Sequence, residues 1–160
     1  VPKALALLNQ TERPDVVHQA GEKQIDALRK NYQDAAVQAQ CVPFVDDMAE
    51  LYSNIDVLIC RAGAMTVSEL AAAGVPSIMV PFPAAVDDHQ TANAKLLVDA
   101  GAGQLLPQTE LTPEYLAKLL RGLNREQLSQ QAVNARTVAK PNATMDVANV
   151  CLQVAGVREA

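Results

Sequence analysis

The chain has 160 residues, of which 49% are apolar and only 3% aromatic, and its net charge is −5. This length suits one domain with an aliphatic, alanine-rich core, as in layered α/β proteins. The acidic balance argues against a nucleic-acid-binding surface, and no apolar run approaches the roughly 20 residues that span a bilayer.

Apolar spacing predicts an alternation of helices and short strands along the chain. In the first half we expect helices over 1–10 and 22–35, strands over 15–18 and 41–45, and then a short helix capped by Asp46. The second half continues with strands over 55–60, 77–80 and 104–106 and with helices over 66–73, 89–100, from Thr112 onwards, 125–139 and 143–155. Continuous apolar strands between helices predict an α/β fold: a Rossmann-like, three-layer parallel sheet with helices on both faces.

The number and spacing of the cysteines indicate the redox compartment of the protein. Cys41, Cys60 and Cys151 lie far apart and lack metal-ligand spacing. An odd number of cysteines suits a reducing compartment, and we expect all three to be buried apolar thiols. No signal peptide is visible at Val1, and because Val1 is not a natural start we expect a processed or excised piece of a longer protein.

In parallel sheets of this kind, ligands bind outside the carboxyl ends of the strands. The candidate site therefore comprises the segments that follow the strands: 18–21, 44–48, 61–69, 81–90 and 107–109.

The turn after the strand at 55–60 allows two interpretations. Thr66 and Glu69 fit a capping box, in which Thr66 caps the helix and Glu69 reaches back to the backbone. Alternatively, Glu69 accepts from both hydroxyls of a ribose, while the amides of Ala64, Met65 and Thr66 face phosphate oxygens at the positive end of the helix. In that case Gly63 lets the backbone approach the ligand closely.

The segment 87–90 also allows two interpretations. Asp88 can simply cap a helix, or His89 and Gln90 can exchange hydrogen bonds with sugar hydroxyls. Arg61 can pair with a phosphate or with a nearby acid. No catalytic triad, Cys/His pair, Walker loop or CxxC motif is present.

The segment 44–48 can bind metal, cap a helix or contact a base. Adjacent aspartates at a helix start point in different directions, which disfavours metal, and we expect Asp46 to cap the helix. A flat base could instead lie against Phe44 and Met48, where the backbone of Val45 would read its edge.

Four segments, taken in order and at their spacing, resemble the MurG family of bacterial peptidoglycan synthesis: 44–48 (FVDDM), 60–69 (CRAGAMTVSE), 81–83 (PFP) and 88–94 (DHQTANA). The resemblance runs from about Asn9 to the C-terminal helix. It implies a GT-B glycosyltransferase with two Rossmann-like halves, of which this chain is the C-terminal, donor-binding half.

The resemblance also implies roles for individual residues. The backbone matching Val45 reads uracil beside Phe44 and Met48, and Glu69 holds the ribose. The donor-binding set further includes residues near the phosphates and sugar: Gly63, Ala64, Met65, Thr66, His89 and Gln90. Many relatives have Gln where this chain has His89, which is a mild departure, although an imidazole can still donate or accept.

For the intact protein, the resemblance implies transfer of N-acetylglucosamine from UDP-N-acetylglucosamine to the 4-hydroxyl of the muramyl sugar of lipid I, giving lipid II. It implies no cofactor or metal and a peripheral position on the cytoplasmic face of the bacterial inner membrane. Residues 1–142 would be the donor domain, lacking its first, central strand and glycine-rich loop. Residues 143–160 would be a helix that crosses to the missing N-terminal half, which holds the acceptor site, so this piece alone should not catalyse transfer.

Two alternatives stay open at this point. A UDP-N-acetylglucosamine 2-epimerase shares this architecture. A non-enzymatic, flavodoxin-like binding domain would explain the fold with Glu69 acting only as part of a helix cap.

Overall fold

A computed structural model describes residues 1–156 of the chain. The strands are β1 (Val17–Gln19), β2 (Gln40–Val42), β3 (Leu58–Cys60), β4 (Ser77–Met79) and β5 (Gly103–Leu105). The α-helices are α1 (Pro2–Ala6), α2 (Ile25–Asp34), α3 (Met48–Asn54), α4 (Ala64–Ala73), α5 (His89–Asp99), α6 (Pro113–Gly122), α7 (Arg125–Thr137) and α8 (Ala143–Val154). Every element predicted from the sequence is present, although several begin or end a few residues away from the expected position.

All strand pairs are parallel, as predicted. β1 pairs with β2, with His18 opposite Cys41. β4 lies between β3 and β5, with Ile78 opposite both Ile59 and Gln104. Within residues 1–156 the two groups of strands share no ladder, so the sheet is divided into a pair and a triplet.

Successive side chains along β4 point to opposite faces of the sheet, and this gives the fold its three layers. Ile78 belongs to an apolar cluster with Val80 and Leu106, against which Leu119 of α6 packs. Met79, on the opposite face, belongs to a cluster supplied mainly by α4, α5 and α7. Both side chains are almost fully buried, so helices cover this strand on both faces, as a parallel sheet requires.

The β1–β2 pair has its own core. It is formed by α1, α2 and α6, and its buried members are Ala4, Leu5, Leu8, Leu28, Tyr32, Val37, Leu116 and Ala117. Ile59 of β3 packs against this cluster and also against the cluster around Ile78. The two groups of strands are therefore joined by apolar packing rather than by hydrogen bonds.

The expectation that all three cysteines are buried is wrong. Cys41 and Cys60 are partly exposed, and Cys151 is exposed. Cys151 lies on α8, whose residues are all exposed, because the described part of the chain offers this helix no core to pack against. Burial raises the pKa of the Cys60 thiol to about 11, so this group is protonated and inert at neutral pH.

The described residues include no helix that is long and apolar enough to cross a membrane. They also include no group of three or more histidine, cysteine or acidic side chains that could hold a metal ion.

Candidate functional site

Arg61 ties together the segments that follow three neighbouring strands. Its Nη1 donates to the carbonyl oxygens of Val80 at 3.2 Å and of Pro81 at 3.0 Å, and its Nη2 donates to Oε1 of Gln108 at 2.8 Å. The guanidinium carbon also lies 5.3 Å from the ring centre of Phe82. Arg61 therefore holds the carboxyl edge of the sheet together through carbonyl and amide oxygens. Pairing with a nearby acid, one of the two alternatives for Arg61, is not observed among the described residues.

The capping-box interpretation of Thr66 and Glu69 is wrong. α4 begins at Ala64, and the extended residue before it is Gly63 (φ −66°, ψ 147°). The carbonyl of Gly63 accepts the first helical bond, from the amide of Val67 at 3.0 Å. Thr66 is thus already inside the helix, and its hydroxyl cannot take the position that a capping side chain occupies.

The first turn of α4 presents backbone amides toward the carboxyl edge of the sheet. Among the described residues, none accepts a hydrogen bond from the amides of Ala64, Met65 or Thr66. A β-carbon added to Gly63 would meet only Thr66 Oγ1, at 3.8 Å, so the approach to these amides is open. Unsatisfied amides and the helix dipole together favour an anion here.

Glu69 lies one turn further along α4, on the same face as Met65 and Thr66. Its Oε2 accepts a hydrogen bond from the hydroxyl of Tyr52 at 2.9 Å. Burial raises the pKa of Tyr52, and its hydrogen bond to Glu69 and the charge of that carboxylate raise it further. Tyr52 is therefore a neutral donor at physiological pH, and Glu69 is an exposed carboxylate held at one oxygen.

The helix that carries Tyr52 is capped by a different residue from the predicted one. Asp47, rather than Asp46, precedes α3 in an extended conformation, and its carboxylate accepts from the amide of Glu50 at 2.8 Å. Asp46 lies one residue too early to reach that amide. Met48 starts α3 on the same face as Tyr52, since the two are one turn apart.

The segment before α3 contains the predicted base-reading residue. The amide of Val45 donates to Oε1 of Gln19 at 3.0 Å, whereas its carbonyl has no donor among the described residues. Phe44 is 65% exposed, and Met48 is partly buried. An exposed aromatic ring, a methionine and an open carbonyl are thus adjacent at the end of β2.

The start of α5 differs from the predicted cap. Asp88 occupies the capping position with a left-handed backbone (φ 52°), but its carboxylate accepts from Oγ1 of Thr91 at 2.7 Å instead of from a backbone amide. Gln90 Oε1 accepts from the amide of Phe82 at 2.9 Å, and Asn93 Nδ2 donates to the carbonyl of Ala62 at 3.1 Å. These bonds hold α5 beside the turn that leads into α4.

Several contacts at this edge could not be assigned from the sequence. They are the bond from Tyr52 to Glu69, the bond from Val45 to Gln19, the bond from Asn93 to Ala62 and the brace from Arg61 to Gln108. Each joins residues that are at least 17 positions apart and depends on how the helices pack. In the sequence, the one indication of these contacts was that their side chains lie in or next to segments that follow strands.

Two curated relatives have the same name, UDP-N-acetylglucosamine–N-acetylmuramyl-(pentapeptide) pyrophosphoryl-undecaprenol N-acetylglucosamine transferase. The protein of Dechloromonas aromatica is 59% identical over 155 residues, which covers 97% of this chain and 44% of that protein. The protein of Cupriavidus pinatubonensis is 60% identical over 155 residues, with the same shares. The chain thus spans less than half the length of these relatives.

The crystal structure of MurG from Acinetobacter baumannii is similar to this chain, with a TM-score of 0.86 and 47% identity over 93% of this chain and 45% of that one. The predicted resemblance to the MurG family and the predicted Rossmann-like fold are therefore confirmed. The family model described as the glycosyltransferase family 28 C-terminal domain matches residues 1–150. The chain accordingly belongs to glycosyltransferase family 28, as its C-terminal domain.

Proposed function

We propose that this chain is the donor-binding half of an inverting glycosyltransferase. The intact enzyme transfers N-acetylglucosamine from UDP-N-acetylglucosamine to the 4-hydroxyl of the muramyl sugar of lipid I, giving lipid II. The observation that carries the proposal is the first turn of α4. Its amides at Ala64, Met65 and Thr66 are open, and the carboxylate of Glu69 lies one turn further along the same helix.

A nucleoside diphosphate matches this arrangement in both charge and spacing. The pyrophosphate binds at the amides, where the helix dipole favours an anion and Gly63 leaves the approach open. Glu69 accepts from the ribose hydroxyls through charge-assisted hydrogen bonds. The pyrophosphate and the ribose thereby use one helix and bind as a unit.

The uracil and the sugar of the donor lie against the segments 44–48 and 87–90. Uracil lies against Phe44 and Met48 and donates its N3–H to the open carbonyl of Val45. The sugar faces His89 and Gln90, at the start of α5. The bonds that tie α5 to Ala62 and Phe82 support this position, because they hold that helix beside the amides of α4.

In the transfer step, the acceptor hydroxyl attacks the anomeric carbon while the bond to the UDP oxygen breaks. Negative charge develops on the departing diphosphate. The amides at the start of α4 are already oriented, so they stabilise this charge without reorganisation. We assign no general base and no metal to this chain, and the proton of the acceptor hydroxyl leaves to a group on the N-terminal half.

The division of the sheet supports the proposal that the domain continues upstream. Within the described residues β1 pairs only with β2, and β3 pairs only with β4, so each has an edge at which a strand from an upstream segment would pair. Residues 1–142 then form the donor domain, and a glycine-rich loop after that strand completes the wall of the site.

The helix α8 belongs, in this proposal, to the contact with the N-terminal half. Met145, Val147, Val150, Leu152 and Val154 are all exposed on it, and such apolar surface suits a partner surface. This helix thus crosses to the other half, which binds lipid I and contacts the cytoplasmic face of the inner membrane peripherally. The end of the predicted crossing segment 143–160, residues 157–160, lies outside the described residues.

The two relatives are named as transferases, which favours a transferase over a 2-epimerase. Glu69 lies outside any capping box and accepts a hydrogen bond from Tyr52, so the flavodoxin-like alternative loses the capping role that it gave to Glu69.

The test is UDP binding by the full-length protein that carries this chain, measured by calorimetry before and after Glu69→Ala. Loss of a charge-assisted hydrogen bond should lower the affinity by about 1.5–3 kcal/mol. Glu114→Ala, which removes an exposed carboxylate from the first turn of α6, is the matched control and should leave affinity unchanged. If the wild-type protein does not bind UDP, or if Glu69→Ala binds UDP equally well, the proposal is wrong.

A further inference from the structure

We propose that Tyr52 is a positioning residue for the donor ribose: its hydroxyl holds one oxygen of Glu69 so that the carboxylate meets the diol in a fixed orientation. This inference rests on the proposed function, since it assumes that Glu69 binds ribose. It adds a residue from a different helix to that site.

The position of the Tyr52 hydroxyl is set by the core. Its ring packs against the apolar cluster formed by α4, α5 and α7, so the ring has little freedom to turn. The hydroxyl emerges from that packing and lies 2.9 Å from Oε2 of Glu69. A rigid donor on α3 thus reaches a flexible acceptor on α4.

Glu69 needs such a partner because it is exposed and has several rotatable bonds. An unrestrained glutamate loses rotamer freedom when it binds a ligand, and that loss weakens binding. The bond from Tyr52 restricts Glu69 before the ligand arrives. A carboxylate has about four acceptor positions, and Tyr52 occupies one of them, so enough remain for both ribose hydroxyls.

Binding of UDP and of 2′,3′-dideoxy-UDP to the full-length protein separates this role from a structural one. The variants are Tyr52→Phe, Glu69→Gln and the double variant. Tyr32→Phe is the matched control, since it removes another bonded hydroxyl, the partner of His18 Nδ1 at 3.0 Å. Thermal unfolding of each variant verifies folding.

We expect Tyr52→Phe to weaken UDP binding about three- to tenfold and dideoxy-UDP binding less than about twofold. In the Glu69→Gln background, the same change should have an effect below about twofold, because the two residues act as one unit. The KM for UDP-N-acetylglucosamine should rise by a similar factor, with kcat nearly constant. Tyr32→Phe should alter neither ligand's affinity.

Four results would overturn the inference. Equal losses for both ligands would mean that Tyr52 only supports the fold, and tighter UDP binding would mean that Tyr52 competes with the ribose for Glu69. If Glu69→Gln weakens UDP binding selectively while Tyr52→Phe does not, Tyr52 has no positioning role but the proposed function stands. If Glu69→Gln itself does not discriminate between the ligands, the ribose assignment fails and the role of Tyr52 fails with it.

Discussion

Two helices begin at the same edge of the sheet, and their first turns have opposite electrostatic character. α4 follows β3 after a short turn, has glycine at its capping position and exposes the amides of its first turn. α5 follows β4 after a long loop and begins behind Asp87 and Asp88, both with left-handed backbone. The two aspartates place negative charge where α4 has none.

The difference indicates which of the two helix N-termini is better suited to an anion. At α4 the positive end of the dipole is unscreened, which suits a phosphate. At α5 the carboxylates repel an anion but still accept hydrogen bonds, which suits a neutral sugar. In the proposed function, two strand-to-helix connections of the same kind thus take two parts of the donor, according to the residues that precede each helix.

The largest expected effect comes from making the start of α4 resemble that of α5. Gly63→Asp should keep or slightly raise stability, because aspartate is a good cap in an extended conformation and has space here. UDP affinity should fall by roughly 2–4 kcal/mol, from repulsion between the carboxylate and the diphosphate. Titration calorimetry measures the loss, and Gly63→Asn, which caps without charge, should lose distinctly less. Unchanged affinity in Gly63→Asp would mean that the diphosphate binds elsewhere.

A smaller effect should follow from loosening the long loop that leads into α5. Arg61→Ala removes the bonds to Val80, Pro81 and Gln108, and the free energy of unfolding should fall by about 1 kcal/mol. Proteolysis within 81–88 should accelerate. Arg29→Ala removes only an exposed ion pair with Asp26 and should change stability by less than about 0.5 kcal/mol. If both variants change the free energy of unfolding equally, the bonds of Arg61 do not stabilise the loop.

A third helix, α3, is a reference for this comparison because a side chain caps its N-terminus. Asp47→Ala should lower the free energy of unfolding by about 1 kcal/mol, because the amide of Glu50 loses its acceptor. Asp46→Ala should change it by less than about 0.5 kcal/mol. Chemical denaturation of both variants measures the two losses. A larger loss in Asp46→Ala than in Asp47→Ala would mean that Asp46 is the cap.

The smallest effect is expected at α5 itself. Asp88 bonds a threonine hydroxyl and no backbone amide, and asparagine tolerates the left-handed backbone equally well. Asp88→Asn should therefore change the free energy of unfolding by no more than about 0.5 kcal/mol. A loss above about 1 kcal/mol would show that Asp88 caps the helix after all.

The positions of these helix starts could be predicted from the sequence more reliably than their chemistry. The small-residue turn before α4 and the acidic pair before α5 are local patterns, and both marked a helix start. The capping box at Thr66 was wrong because the helix begins two residues earlier, and a pattern of residue types does not determine which residue turns extended. The cap at Asp46 was wrong by one residue for the same reason.

The layered α/β fold, the parallel strands, the family and the sheet edge that carries the candidate site were all predicted from residue patterns. These properties follow from apolar periodicity, from glycine at the turn and from the order of short motifs, all of which are local. The folded chain alone reveals that Tyr52 donates to Glu69, that the amide of Val45 donates to Gln19 and that Arg61 joins three segments. Such contacts depend on the packing of helices that are distant in the chain, so local patterns cannot encode them.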